Sequence, residues 1–287
     1  QPEEKGVIRE SKKKIFSSDR DEVSEISVYY PKAHQKIDIP LGLLESDSTK
    51  PNAGDIKANK LIIKKTLENF NIPAEMGEVE VGPTVTQYTL KPAEGIKLSQ
   101  ITTLHNDLAM ALAVHPIRIE APIPGQALVG IEVPNKRVAV IRLKQILDSE
   151  TFKKRKSNLT VALGRDVAGR IWLADLGKMP HLLVAGATGS GKTVFLNSVI
   201  ISLIYQNSPE DLRFILIDPK RVELTFYNNL PHLLTPVITD VVKTINALKW
   251  AINEMDRRFD IMHEAKKRDI SDYNQNAQDK LPYIIIV

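Results

Sequence analysis

The 287 residues include no cysteine, which excludes disulfides and thiolate metal sites, and the six histidines are scattered without metal-ligand spacing. A hydrophobic content of 43%, a charged content of 26% and a formal net charge of +4 describe a mildly basic globular protein, which permits nucleic acid as a partner without identifying it. No apolar run approaches the ~18 residues of a membrane helix, no signal-peptide pattern opens the chain, and the length favours two domains.

Residues 1–36 are charged and poor in apolar side chains, so they read as a linker carrying one short strand at 26–30. Residues 37–44, with Pro40 and Gly42, form an extended lead-in, and 47–54 are polar and turn-rich. Ile56, Leu61, Ile62, Ile63, Leu67 and Phe70 stand close to a helical period and predict a helix over 55–70, with Asp55 as its N-cap. Val79, Val81, Val85 and Tyr88 alternate over 78–90 and predict a strand bent at Gly82-Pro83. Ile101, Leu104, Leu108 and Leu112 return to helical spacing over 99–114. Two short strands follow at 116–121 and 127–133, and 137–143 is either a third strand or part of a helix reaching Leu147. This is a small α+β domain without a catalytic constellation. Lys153-Lys154-Arg155-Lys156 marks its end, either as a phosphate-contacting patch or as a solvated hinge.

Beyond this boundary, 159–163 and 170–175 read as a hairpin-like pair around Gly164-Arg165-Asp166 and Gly169. Leu182, Leu183, Val184 and Ala185 predict a strand, and the apolar-rich stretch 194–205 predicts a helix. Between them stands Gly186-Ala187-Thr188-Gly189-Ser190-Gly191-Lys192-Thr193. Strand, glycine loop and helix are the context a phosphate-binding loop requires. The glycines let consecutive N–H groups curl toward phosphate oxygens, and the helix adds its positive end. Lys192 is expected to reach the β- and γ-phosphates of ATP, and the Thr193 hydroxyl to ligate Mg²⁺.

Residues 212–217 form an unbroken apolar run, which suits a parallel strand buried on both faces. It ends at Asp218-Pro219-Lys220, where Asp218 and Lys220 serve either the nucleotide or the strand end. A long helix over 240–267 carries the stripe Ile245, Leu248, Ile252, Met255, Phe259 and Met262, expected to pack in the core. Arg257 and Arg258 lie off that stripe, on a solvated face or a subunit interface. A polar loop over 273–280 leads to a final strand at 283–287. The chain opens on Gln and stops inside this run, so both ends read as internal to a longer protein. The acidic magnesium and catalytic residues are expected just after Val287, and this stretch alone is not expected to hydrolyse ATP.

The block from Leu163 through Gly164-Arg165-Asp166 and Met179-Pro180-His181 to Thr193 closely resembles the motor core of FtsK/SpoIIIE DNA translocases. Ile217-Asp218-Pro219-Lys220-Arg221-Val222-Glu223-Leu224 and Glu254-Met255-Asp256-Arg257-Arg258-Phe259 look like further signatures of that family. Upstream, 80–88, 117–125 and 130–135 are similar to its α-domain. The resemblance implies an α/β, RecA-like P-loop NTPase with a parallel sheet, preceded by the small α+β domain. The division it implies is 1–36 linker, 37–155 α-domain and 156–287 incomplete motor. It also implies a homo-hexamer that pumps double-stranded DNA with ATP in chromosome segregation at division or sporulation, anchored in the bacterial inner membrane by segments absent here. A related secretion or conjugation ATPase, moving protein or single-stranded DNA, is the alternative.

Overall fold

The computed structural model describes residues 38–46 and 49–287, so the strand expected at 26–30 lies outside the described residues. The chain parts into two compact units, one ending at Leu212 and the other running from Arg213 to Val287.

The first unit opens with a 3-10 turn at Leu41–Leu43, followed by helix α1 (Ile56–Asn69). Asp55 caps α1 as expected, its carboxylate accepting the Ala58 N–H at 2.9 Å. Strand β1 (Ala74–Val81) and strand β2 (Val85–Pro92) pair antiparallel, so the bend expected at Gly82-Pro83 is a full reversal. The Gly82 N–H donates to the Val85 carbonyl at 2.9 Å and closes it. The helix expected over 99–114 is two, α2 (Leu98–Thr102) and α3 (His105–Leu112). Thr102 and Thr103 hydroxyls bond back to the Ser99 and Gln100 carbonyls and compete with the helical ladder at the break. Strands β3 (Arg118–Glu120) and β4 (Val129–Pro134) complete an antiparallel sheet in the order β1-β2-β4-β3.

Ile63 and Leu67 of α1, Ile101 of α2 and Leu108 of α3 pack with Tyr88, Leu90, Val129 and Ile131 of the sheet. Tyr88 is fully buried, its hydroxyl accepts from Asn59 Nδ2 at 3.1 Å, and burial pushes the phenol up. Most of 137–142 is neither strand nor helix; helix α4 (Leu143–Leu147) and the single turn α5 (Glu150–Lys153) follow. Neither reading of the basic run fits Arg155. Its guanidinium lies 4.6 Å over the Phe152 ring and donates to the Phe152 carbonyl and to Gln206 Oε1, so the chain is pinned there. Strands β5 (Thr160–Arg165) and β6 (Ile171–Asp175) form the expected hairpin, and helix α6 (Lys192–Ile204) packs on β5.

The second unit is built on β7 (Leu212–Ile215), whose residues are all buried. The Val287 N–H donates to Ile215 O, and the Ile217 N–H donates to Val287 O, which is the parallel pattern, with β8 (Tyr283–Ile286) as the partner. On the other side, Phe214 and Ile217 form parallel bridges with Leu233 and Ile238. A strand with neighbours on both sides is why this run is apolar without alternation. Helix α7 (Val241–Glu264), capped by Asp240, and helix α8 (Ile270–Asn276), capped by Asp269, occupy the stretch between.

The α7 stripe corrects the sequence reading. Ile245, Leu248, Ile252, Met255 and Phe259 are each about half exposed, whereas Ala247 and Glu254 are buried and Trp250 is partly so. Ala247 packs with Ile215, Leu234 and Ile238, so the face turned to the strands is the one with the small residue. Periodicity identifies an apolar face; it does not say which neighbour covers it.

The burial pattern along α1 is directly testable. Ile63 is fully buried and Leu61 is 52% exposed. Ile63→Ala is expected to cost about 2–5 kcal/mol in urea unfolding, and Leu61→Ala well under half of that. Equal losses would contradict the packing described.

Candidate functional site

Helix α6 begins at Lys192, and its N-cap is Gly191 in the left-handed conformation at φ 95°. No side chain caps the helix, and no acidic residue stands in its first turn. Gly189 is also left-handed, at φ 81°, and the Ser190 N–H donates to the Ala187 carbonyl at 3.1 Å. These two glycines adopt a backbone that other residues enter only with strain. Gly186 faces Ser190 so closely that a side chain there would strike the serine hydroxyl. The loop is therefore a tight exposed turn delivering the chain onto a bare helix N-terminus.

Lys192 is exposed and Thr193 is partly so. Among the described residues, neither the Lys192 ammonium nor the Thr193 hydroxyl has a partner. Uncapped amides, the positive helix end and an exposed lysine stand side by side in one short stretch, which is what an anion with several oxygens requires. Gly186, Ala187, Thr188, Gly189, Ser190, Gly191, Lys192 and Thr193 thus stand together as one loop. The strand expected before them does not form. Residues 182–185 are unpaired, and Leu183 is 91% exposed. A segment of strand composition becomes a strand only when a neighbour accepts its hydrogen bonds, and no described residue does so here.

Two carboxylates near the sequence signatures have structural work. Asp218 is buried, and one of its oxygens accepts the Glu223 and Leu224 N–H groups at 2.9 Å each. Those backbone bonds, Leu224's foremost, hold its carboxyl below the usual range. Of the two roles open from the sequence, it has the strand-end cap. Lys220 is exposed. Glu254, which the sequence marked only as part of a signature and without a role, is buried and binds both arginines that follow it. It accepts from Arg257 Nε and Nη2 and from Arg258 Nε, all at 2.7 Å. Arg258 Nη1 reaches the Pro282 carbonyl at 2.7 Å, so Arg258 is not on a solvated face. Burial pushes the Glu254 carboxyl up, but the arginine hydrogen bonds and charges together bring it below its usual value. The signal was present as Glu with Arg three and four residues on, a spacing that places all three on one side of a helix.

The FtsK/SpoIIIE family model matches residues 142–285, and the FtsK alpha domain model matches 40–135. The chain belongs to the FtsK/SpoIIIE family. The part matched to that family is mixed α/β, and the part matched to its alpha domain is the small α+β region before it. The DNA translocase FtsK of Caldanaerobacter subterraneus is 49% identical over 231 residues, covering 80% of this chain and 32% of that protein. The DNA translocase FtsK of Clostridium tetani is 50% identical over 235 residues, covering 80% and 31%. This FtsK/SpoIIIE chain therefore spans about a third of the length of these relatives. A solved structure of the pCW3 conjugation coupling protein TcpA with ATPgS aligns at 21% identity and a TM-score of 0.44, covering 80% of this chain and 64% of that one, a likeness too weak to bear on fold or ligand. No helix among the described residues is long and apolar enough to cross a membrane.

The Asp218 cap sets a pH dependence. A depressed folded pKa means that its contribution is complete above the unfolded value of ~3.9 and is lost as pH falls through the folded value. Asp218→Ala is expected to cost about 1–3 kcal/mol at neutral pH. Asp218→Asn is expected to flatten the acid limb of urea midpoint against pH. Parallel curves for wild type and Asp218→Asn would contradict this account.

Proposed function

We propose that this chain is the nucleotide-binding stretch of an ATP-driven motor that translocates double-stranded DNA, serving chromosome segregation at cell division or sporulation. The observation that carries the reading is the anion-ready loop at Gly186–Thr193, exposed and unneutralised, lying inside the FtsK/SpoIIIE match. The relatives named DNA translocase FtsK support the choice of duplex DNA as cargo. The loop fits a triphosphate. Its amides and Lys192 would hold the β- and γ-phosphates, and the Thr193 hydroxyl would take one position on Mg²⁺. The metal would neutralise charge developing on the phosphates, while the loop fixes their orientation. The working form is proposed to be a homo-hexamer. A functional boundary at 155–156 is part of this proposal, whereas the two family matches change over earlier, between 135 and 142.

ATP hydrolysis by the full-length protein tests this reading, measured with and without duplex DNA. Duplex DNA is expected to stimulate turnover, and Lys192→Ala to lower the stimulated rate by about a hundredfold or more. Stimulation by single-stranded DNA alone would favour the conjugation-type ATPase. Indifference to DNA, with Lys192→Ala fully active, would sink the motor reading.

A further inference from the structure

The face of the β1-β2-β4-β3 sheet turned away from helices α1, α2 and α3 is polar. Gln87 pairs across the strands with Glu80 on one side and Glu132 on the other, and Thr89 pairs with Gly130. Strand alternation sets these residues opposite Tyr88, Leu90 and Ile131, which pack with the helices. Polar as it is, this face is shielded from solvent, and Gln87, Thr89 and Glu132 are all buried.

A cavity of about 300 Å³ opens here, its walls including Glu78, Glu80, Gln87, Ile123, Leu128 and Arg170. Thr89 is satisfied, its hydroxyl donating to the Glu78 carbonyl at 2.7 Å. Gln87 is not. It is 4% exposed, and its side-chain amide makes no hydrogen bond among the described residues. A buried amide left without partners is costly, so this one calls for a ligand that supplies them. Gly130 makes room for it, because a Cβ there would stand 2.8 Å from Gln87 Nε2.

The charge of the walls is negative. Arg170 is engaged by Asp166, Nε to Oδ2 at 3.1 Å, whereas Glu78 and Glu80 have no cationic partner among the described residues. No group of three His, Asp or Glu that could hold a metal occurs among those residues either. Ile123 and Leu128 add an apolar side, which a hydrated ion cannot use and a carbon chain can.

We propose that this cavity binds an alkylammonium ligand. The ammonium donates to the Glu80 carboxylate and the Gln87 amide oxygen, and the methylenes lie along Ile123 and Leu128. Exposed Glu78 adds a second negative charge. A free diamine and the side chain of a lysine on another protein carry the same chemistry.

Isothermal titration of the whole chain at constant ionic strength tests this, using 1,4-diaminobutane, Nα-acetyl-lysine methylamide and magnesium chloride. One-to-one binding of an amine is expected, without competition from magnesium at equal concentration. Tighter binding of the diamine identifies a free amine as the occupant, and tighter binding of the lysine derivative identifies a protein side chain. Glu80→Gln is expected to weaken binding about tenfold or more. Gln87→Leu is expected to weaken it as well while keeping or raising the urea midpoint, since an apolar group replaces an unpaired amide. Glu75→Gln, on the same strand but outside the cavity walls, is expected to bind as wild type. Absence of amine binding to folded wild type, competition by magnesium, or binding unchanged in both Glu80→Gln and Gln87→Leu overturns the proposal. So does a fall in the urea midpoint of Gln87→Leu, which would mean that the fold already satisfies the amide.

Discussion

A helix leaves its first N–H groups without intrahelical acceptors, and a Ser, Asp or Asn side chain ordinarily satisfies one of them. Asp55, Asp240 and Asp269 do this for α1, α7 and α8. Helix α6 starts differently, on a left-handed glycine with no side chain to offer. Its amides, its positive end and the exposed Lys192 are left in one short stretch without a negative partner among the described residues. A helix end contributes only about 0.3–1 kcal/mol to a surface anion, and salt screens it. On the proposed reading, selectivity has to come from several donors meeting several oxygens at once, an arrangement that favours phosphate chains over simple ions.

The carboxylates tell the complementary story. Asp218, Glu254 and Asp166 all lie in segments that carry family signatures, and each accepts hydrogen bonds from backbone, arginine or indole donors. A buried carboxylate without partners is costly by several kcal/mol, so these bonds are the condition on which the residues can sit where they do. Glu254 draws Arg258 inward, and Arg258 in turn holds the Pro282 carbonyl at the entry to β8. In this structure these residues serve strand and loop ends.

Local signals were legible before the structure. The phosphate loop is contiguous and uses residue types whose physics is local: glycine for left-handed backbone, a lysine, a hydroxyl. The Asp55 cap and the two-sided burial of β7 were legible for the same reason. Features that depend on what arrives from elsewhere in the chain were not. The α7 stripe had the right period, yet the face that found a neighbour carries Ala247 and Glu254. Residues 182–185 had strand composition but found no ladder. Gly82 looked like punctuation because nothing in its neighbourhood announces that Val167 will press against it.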